Sequence, residues 1–276
     1  MSEIEIRNVF KIFGADTRTA LAMARDGADK SAILAKTGCS VGLNDVSLRI
    51  PPGRVFVIMG LSGSGKSTLV RHINRLIEPT SGEILVDGRN VLGLSAPELR
   101  DFRKSRVSMV FQSFGLMPHR SVLQNVIYGQ RVRGLSRAEA EPIGMKWIET
   151  VGLTGYENKY PFQLSGGMKQ RVGLARALAA NTDIILMDEA FSALDPLIRG
   201  EMQDQLIQLE HDLAKTIVFI THDLDEALRI GAEIAILKDG KLVQVGTPHE
   251  ILTSPANNYV ARFVERRSLQ GGEQHG

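Results

Sequence analysis

The segment GLSGSGKST, from Gly60 to Thr68, combines three glycines with a lysine followed by two hydroxyl residues. It fits G-x-x-x-x-G-K-[ST], a spacing with a physical purpose. The glycines let the backbone curl so that successive N–H groups point at phosphate oxygens, and the start of a following helix adds positive dipole. Lys66 would neutralise the outer phosphates of a nucleotide and the Ser67 hydroxyl would ligate Mg²⁺. A glycine-rich turn with no ligand is the plain alternative. The flanks decide against it: the apolar run Val55 to Met59 precedes the segment as a strand, and Leu69 to Leu76 follows as a helix.

Two further constellations carry matching chemistry. Ile184 to Met187 is an apolar strand that ends in Asp188 and Glu189. At a strand's C-terminal end Asp188 can reach a nucleotide's metal, and Glu189, one residue on, can orient or deprotonate an attacking water. A merely solvated acidic pair is the alternative, and it is favoured only if the phosphate loop is ignored. His222, after the strand Ile217 to Ile220, is a candidate sensor of the terminal phosphate, although a lone histidine is more often a hydrogen-bonded structural residue. Leu164-Ser165-Gly166-Gly167 opens a helical run to Ala180. Ser165 can cap that helix while the two glycines expose N–H groups, which makes a second anion site or simply a turn and cap. Two anion sites in one chain imply two nucleotides, or two chains that share them.

These residues must be held by a framework of alternating strands and helices. Val55 to Met59, Val107 to Phe111, Ile184 to Met187, Ile217 to Ile220 and Ile234 to Leu237 are rich in β-branched residues and read as buried strands. Asp195 and Pro196 cap and open a helix whose apolar face runs Ile198, Met202, Leu206, Leu209 and Leu213. That alternation predicts an α/β sheet fold, with a mainly helical insertion from about 113 to 163 that includes a helix from Leu135 to Val151. The 276 residues are 43% hydrophobic and 23% charged, with a net charge of +2, so disorder is excluded and nothing favours nucleic-acid binding. The charge-free run between Arg106 and Arg120 is too short to span a bilayer. No secretory signal opens the chain, and the single Cys39 cannot form an internal disulfide, which points to a reducing compartment.

Taken in order, GLSGSGKST, LSGGMKQR, ILMDEA, SALD and THD resemble the nucleotide-binding subunit of an ABC transporter, over Ile4 to about Val264. The resemblance implies an α/β P-loop NTPase fold: a RecA-like core with a mostly parallel sheet, an antiparallel β subdomain and an inserted helical subdomain. It also implies that two copies of the chain sandwich two ATP molecules with Mg²⁺. Gly60, Ser62, Gly63, Gly65, Lys66, Ser67 and Thr68 would hold the phosphates, and Phe13 would stack on adenine, with Phe10 the alternative. Ser67, Gln112 and Asp188 would serve the metal, Gln112 also contacting nucleotide; Glu189 would be the base and His222 the γ-phosphate switch. Ser165, Gly166, Gly167 and Gln170 would act on the partner's nucleotide, and Asp195 would lie in a loop at the dimer interface.

A narrower resemblance is to the glycine betaine/proline and choline importer ATPases, carried by VFQSFGLMPHRSVLQNV, DEAFSALDPLIRGEMQ, VGTPHEILTSPANNYV and an insertion from Ala15 to Leu43. It implies membrane permease subunits as partners, an extracytoplasmic solute-binding protein beyond them, and a peripheral position on the cytoplasmic face of the inner membrane. Many such subunits continue into a CBS module, and this sequence ends at Gly276. The alternative is a soluble ATPase of the same type acting on DNA or ribosomes. Against it stand the short, heptad-free segment between Lys66 and Leu164 and the presence of one ATPase module. Three local expectations complete the reading. Phe114 to Asn125 should be a helical region bearing a permease groove. The insertion should form two short helices, Thr17 to Ala24 and Ser31 to Lys36, the second stopping at Gly38. Residues 265–276 should be a flexible tail.

Overall fold

The computed structural model describes residues 1–213 and 215–272. The first stretch runs β1 (Ile4–Phe13), α1 (Thr17–Arg25), α2 (Lys30–Thr37), β2 (Ser40–Ile50), β3 (Val55–Met59), α3 (Lys66–Ile73), β4 (Ser81–Val86) and β5 (Arg89–Asn90). The middle runs α4 (Ala96–Ser105), β6 (Val107–Val110), α5 (Val122–Val126), α6 (Tyr128–Val132), α7 (Arg137–Thr150), α8 (Gly166–Ala179), β7 (Ile184–Asp188) and α9 (Pro196–Leu213). β8 (Thr216–Thr221), α10 (Leu224–Ile230), β9 (Glu233–Lys238), β10 (Lys241–Gly246), α11 (Pro248–Thr253) and α12 (Asn258–Gly272) close the chain.

The contacts divide these elements into two compact units. One comprises residues 2–94 with 220–276. Its four-stranded antiparallel sheet has the order β2-β1-β4-β5, and separately β9 pairs with β3 in parallel and with β10 antiparallel. All five residues of β3 are buried, as a strand covered on both faces requires. The insertion is the expected helical hairpin. Asp16 and Asp29 cap its two helices, and Gly38 ends the second with φ of 67°, a left-handed stop that glycine adopts without penalty. Ala20, Ala24 and Ile33 of the hairpin bury against Phe10, Ile12, Cys39 and Val41, so the hairpin extends the antiparallel unit's core and is no separate domain.

The second unit comprises residues 95–219. β6 and β7 pair in parallel, and α5, α7 and α8 pack together. Several helix starts here are specified locally. Ser121 with Gln124 and Ser136 with Glu139 form reciprocal capping boxes, and Ser165 caps α8. Gly144 lets α7 approach α5 closely, since a Cβ there would meet Ile127 and Leu123.

Two expectations need correction. Residues 114–121 are not helical: Phe114 and Gly115 are left-handed, with φ of 65° and 54°, and Pro118 follows. The Asn125 side chain then bonds the backbone of Met117 and Arg120, holding an irregular loop that helix hydrogen bonds would exclude. The chain also stays helical beyond 264, because α12 continues to Gly272. Tyr259 and Phe263 meet edge to face on it, an i,i+4 pair that helical spacing stacks. Residues 273–276 lie outside the described residues, as do the side chains of Leu209 and Leu213 on the expected α9 face. Among the described residues no helix is long and apolar enough to cross a membrane.

Candidate nucleotide site

The phosphate loop leaves β3 and enters α3 through three left-handed glycines, Gly60, Gly63 and Gly65, with φ of 155°, 78° and 101°. The loop is seated from behind. A Cβ on Gly60 would lie 2.3 Å from the Leu237 carbonyl oxygen, and one on Gly65 would lie 2.8 Å from that of Gly42. Gly63 has open space where its side chain would be, so the concave lip faces outward. The Gly240 N–H donates to the Ser64 carbonyl at 3.0 Å, and Asn44 N–H donates to the Gly240 carbonyl at 2.8 Å. A tight turn between β9 and β10 thereby braces the loop. The pair Asp239-Gly240 between two apolar runs was the available signal for that turn.

Lys66 is buried and reaches back over the loop, its Nζ donating to the carbonyls of Gly60 at 2.8 Å and Leu61 at 3.1 Å. Ser67 and Thr68 are half-buried in the first turn of α3, Ser62 is exposed at the lip, and the buried Ser64 hydroxyl has no hydrogen-bond partner among the described residues. An orphaned hydroxyl, a buried ammonium and backbone curled by glycine form a cradle suited to an anion of several oxygens.

In the same unit β1 distinguishes its two aromatics. Phe10 is only 5% exposed, enclosed by the insertion hairpin, whereas Phe13 is 43% exposed with the Lys11 ammonium 5.0 Å from its ring centre. Phe13 can therefore offer a ring to a planar ligand and Phe10 cannot. His222 is exposed on the turn between β8 and α10, a turn held by Asp223, whose Oδ1 accepts from the N–H groups of Asp225 and Glu226.

The other unit carries the acidic residues. Asp188 is fully buried at the end of β7, and Glu189 follows with φ of 48°. A left-handed glutamate costs about 1–2 kcal/mol, so neighbouring bonds must hold it. Gln112 Nε2 donates to Glu189 Oε2 at 2.9 Å, a pairing across 77 residues of chain. Ser165 Oγ accepts from Met168 N–H at 3.3 Å, and Ser165 and Gly166 are exposed at the start of α8. Asp195 Oδ1 accepts from Ile198 N–H at 3.1 Å and caps α9. Gln170 departs from expectation. It is 2% exposed and both ends of its amide bond this chain's own turn after β7, so it is not presented to a second chain.

Reasoning from the sequence also missed Arg176, whose guanidinium donates to the carbonyls of Gly115 at 2.7 Å and Phe114 at 3.2 Å. Burial pushes its basicity down, yet the two carbonyls satisfy it. No local pattern marks such a contact, because its partners lie more than 60 residues away.

The chain's residues 43–192 match the ABC transporter family, and the chain belongs to that family. Its P-loop NTPase fold is shared with solved cassettes: a dimeric bacterial ABC transporter cassette, MJ0796, and the same cassette in a post-hydrolysis state bound to ADP and Pi. Each is 32% identical with a TM-score of 0.77, covering 89% of this chain and 98% of the other. Among curated relatives, the glycine betaine transport ATP-binding protein OpuAA of Bacillus subtilis is 55% identical over 95% of this chain and 63% of its own length. The glycine betaine/proline betaine transport system ATP-binding protein ProV of Escherichia coli is 56% identical over 95% of this chain and 65% of its own length. The trimethylamine N-oxide transport system ATP-binding protein TmoW of Ruegeria pomeroyi is 52% identical over 95% and 77%. The chain thus spans somewhat under two thirds of the length of the first two relatives.

Proposed function

We propose that this chain is an ATP-hydrolysing subunit that powers uptake of a quaternary-amine or betaine-type solute through separate permease subunits. The observation that carries the solute class is the reach of the similarity. Identity of 55–56% to betaine-transport relatives extends over 95% of the chain, insertion included, but drops to 43% over 82% for the methionine import ATP-binding protein MetN of Staphylococcus haemolyticus. Glycine betaine, proline betaine, choline and related amines fall within that class.

In this reading the cradle of Gly60, Ser62, Gly63, Gly65, Lys66, Ser67 and Thr68 binds the phosphates of ATP and Phe13 stacks on its base. Ser67, Gln112 and Asp188 would hold Mg²⁺; hydroxyl, amide and carboxylate oxygens are the hard donors that ion prefers. When bound, it would neutralise charge between the outer phosphates. Glu189, oriented by Gln112, takes the proton of a water attacking in line, and His222 bonds the γ-phosphate. Ser165 and Gly167 complete the nucleotide site of a second copy, with Asp195 near the interface between copies. The dimeric state named for the solved cassettes supports that arrangement. A peripheral place on the cytoplasmic face of the inner membrane follows from coupling to a permease. The test is to purify the chain with its permease and solute-binding protein and measure ATP turnover with each candidate amine. Stimulation by methionine, or by no amine, would sink the solute assignment.

A further inference from the structure

Glu189 sits in a backbone conformation that glutamate disfavours, and its carbonyl oxygen collects three donors. These are Gln170 Nε2 at 3.1 Å, Ser192 N–H at 3.2 Å and Ser192 Oγ at 2.9 Å. The other end of the Gln170 amide, Oε1, accepts from Ala193 N–H at 3.0 Å. One buried side chain therefore closes a bracket around residues 189–193, bonding the first and last peptide groups of the turn. A residue at φ of 48° persists only where surrounding contacts over-determine it, and this bracket supplies them.

The same helix secures the opposing loop. Arg176, six residues further along α8, holds the left-handed pair Phe114 and Gly115 just after Gln112. Gln112 and Glu189 then meet side chain to side chain at 2.9 Å. Both halves of that contact are thus mounted on α8, whose exposed end is Ser165 and Gly166.

We propose that Gln170 is a positioning residue for hydrolysis: by bracketing the turn after β7 it keeps Glu189 left-handed and its carboxylate aimed at Gln112. This rests on the reading of Glu189 as the base. Movement at the glycine end of α8 would reach the water-activating group through this side chain.

Two full-length variants test it. Gln170→Met keeps the length and removes both bonds; Gln170→Glu keeps the acceptor for Ala193 and loses the donor to Glu189. Turnover, ATP KM, binding of a fluorescent ATP analogue, thermal midpoint and amide exchange at Ser192 and Ala193 are measured for each. The positioning role requires kcat to fall roughly 10- to 100-fold in Gln170→Met, the scale of a small misplacement of a reacting group. KM and analogue affinity should stay within about twofold, since uniform binding is untouched. Both amides should exchange faster in Gln170→Met, and Gln170→Glu should retain protection at Ala193. Unchanged kcat in a folded Gln170→Met, a rise in KM matching any loss, or failure of both variants to fold would each overturn the proposal, the last by reducing Gln170 to a packing role. Glu189→Gln run alongside separates the two readings. Wild-type turnover there refutes the base assignment, whereas a silent Gln170→Met beside an inactive Glu189→Gln refutes the positioning role alone.

Discussion

His72 lies on α3, the helix that grows out of the phosphate loop, and its side chain is fully buried. Its Nδ1 is 2.7 Å from the Ile77 carbonyl oxygen, a contact that requires the proton on Nδ1, while the buried Nε2 has no hydrogen-bond partner among the described residues. Burial above all, with the nearby Lys11 cation adding to it, pulls its pKa from 6.5 to about 4; the Ile77 bond and Glu78 oppose that shift without reversing it. The consequence for stability has a definite sign. Above about pH 6.5 the imidazole is neutral in both folded and unfolded chains and contributes no pH dependence. Between about 6.5 and 4 the unfolded chain takes up a proton that the native chain refuses, so stability falls as pH falls. Below about 4 both states are protonated and the loss is complete. A depression of this size corresponds to on the order of 3 kcal/mol, a large part of the 5–15 kcal/mol that holds a typical domain folded. The perturbation is His72→Asn, which keeps a donor for the Ile77 carbonyl and removes the titration. Urea unfolding of both proteins across this window, with the variant's pH profile subtracted from the wild type's, isolates the histidine from the carboxylates. The expected difference opens on acidification below about pH 6.5 and levels off, at its full size, near pH 4. Parallel profiles, or an imidazole resonance that titrates near 6.5 in the folded protein, would refute the reasoning.

Three other outcomes follow from particular contacts. Glu189→Gln should retain nucleotide binding yet lose roughly 100-fold or more in turnover, as expected when acid–base help is removed, and an ATP-bound dimer should accumulate; wild-type turnover would remove Glu189 from the chemistry. Phe13→Ala should weaken ATP analogue binding with little change in unfolding free energy, whereas Phe10→Ala should cost about 3–5 kcal/mol of stability because it empties the hairpin core; a reversed pattern in paired binding and denaturation measurements would transfer the stacking role to Phe10. Ile33→Ala should destabilise by about 2–5 kcal/mol while ATP affinity in the folded protein is unchanged, since Ile33 packs on Phe10 and Ile12 and not on the phosphate loop; lost affinity in a folded variant would tie the insertion to the nucleotide.

What was legible in the sequence was governed by neighbours along the chain. The phosphate loop is specified by glycines at backbone angles that other residues resist, between a strand and a helix that touch it directly. The insertion hairpin could be read for the same reason: its caps lie three residues from the groups they satisfy, and Gly38 stops the second helix where a left-handed residue is needed. The helix expected after Gln112 failed because Asn125 and Arg176 satisfy that loop's backbone from outside it, which removes the demand that would otherwise favour helix. The family resemblance favours Phe13 over Phe10 for the base, and the tertiary structure supplies the physical reason: the hairpin folding over β1 buries Phe10 and leaves Phe13 in solvent. The family resemblance also grouped Gln170 with the glycines that open α8, as a residue acting on a partner's nucleotide. The fold buries it against the turn after β7, where its amide donates to the Glu189 carbonyl and accepts from the Ala193 N–H, since a buried amide must find its partners within the fold.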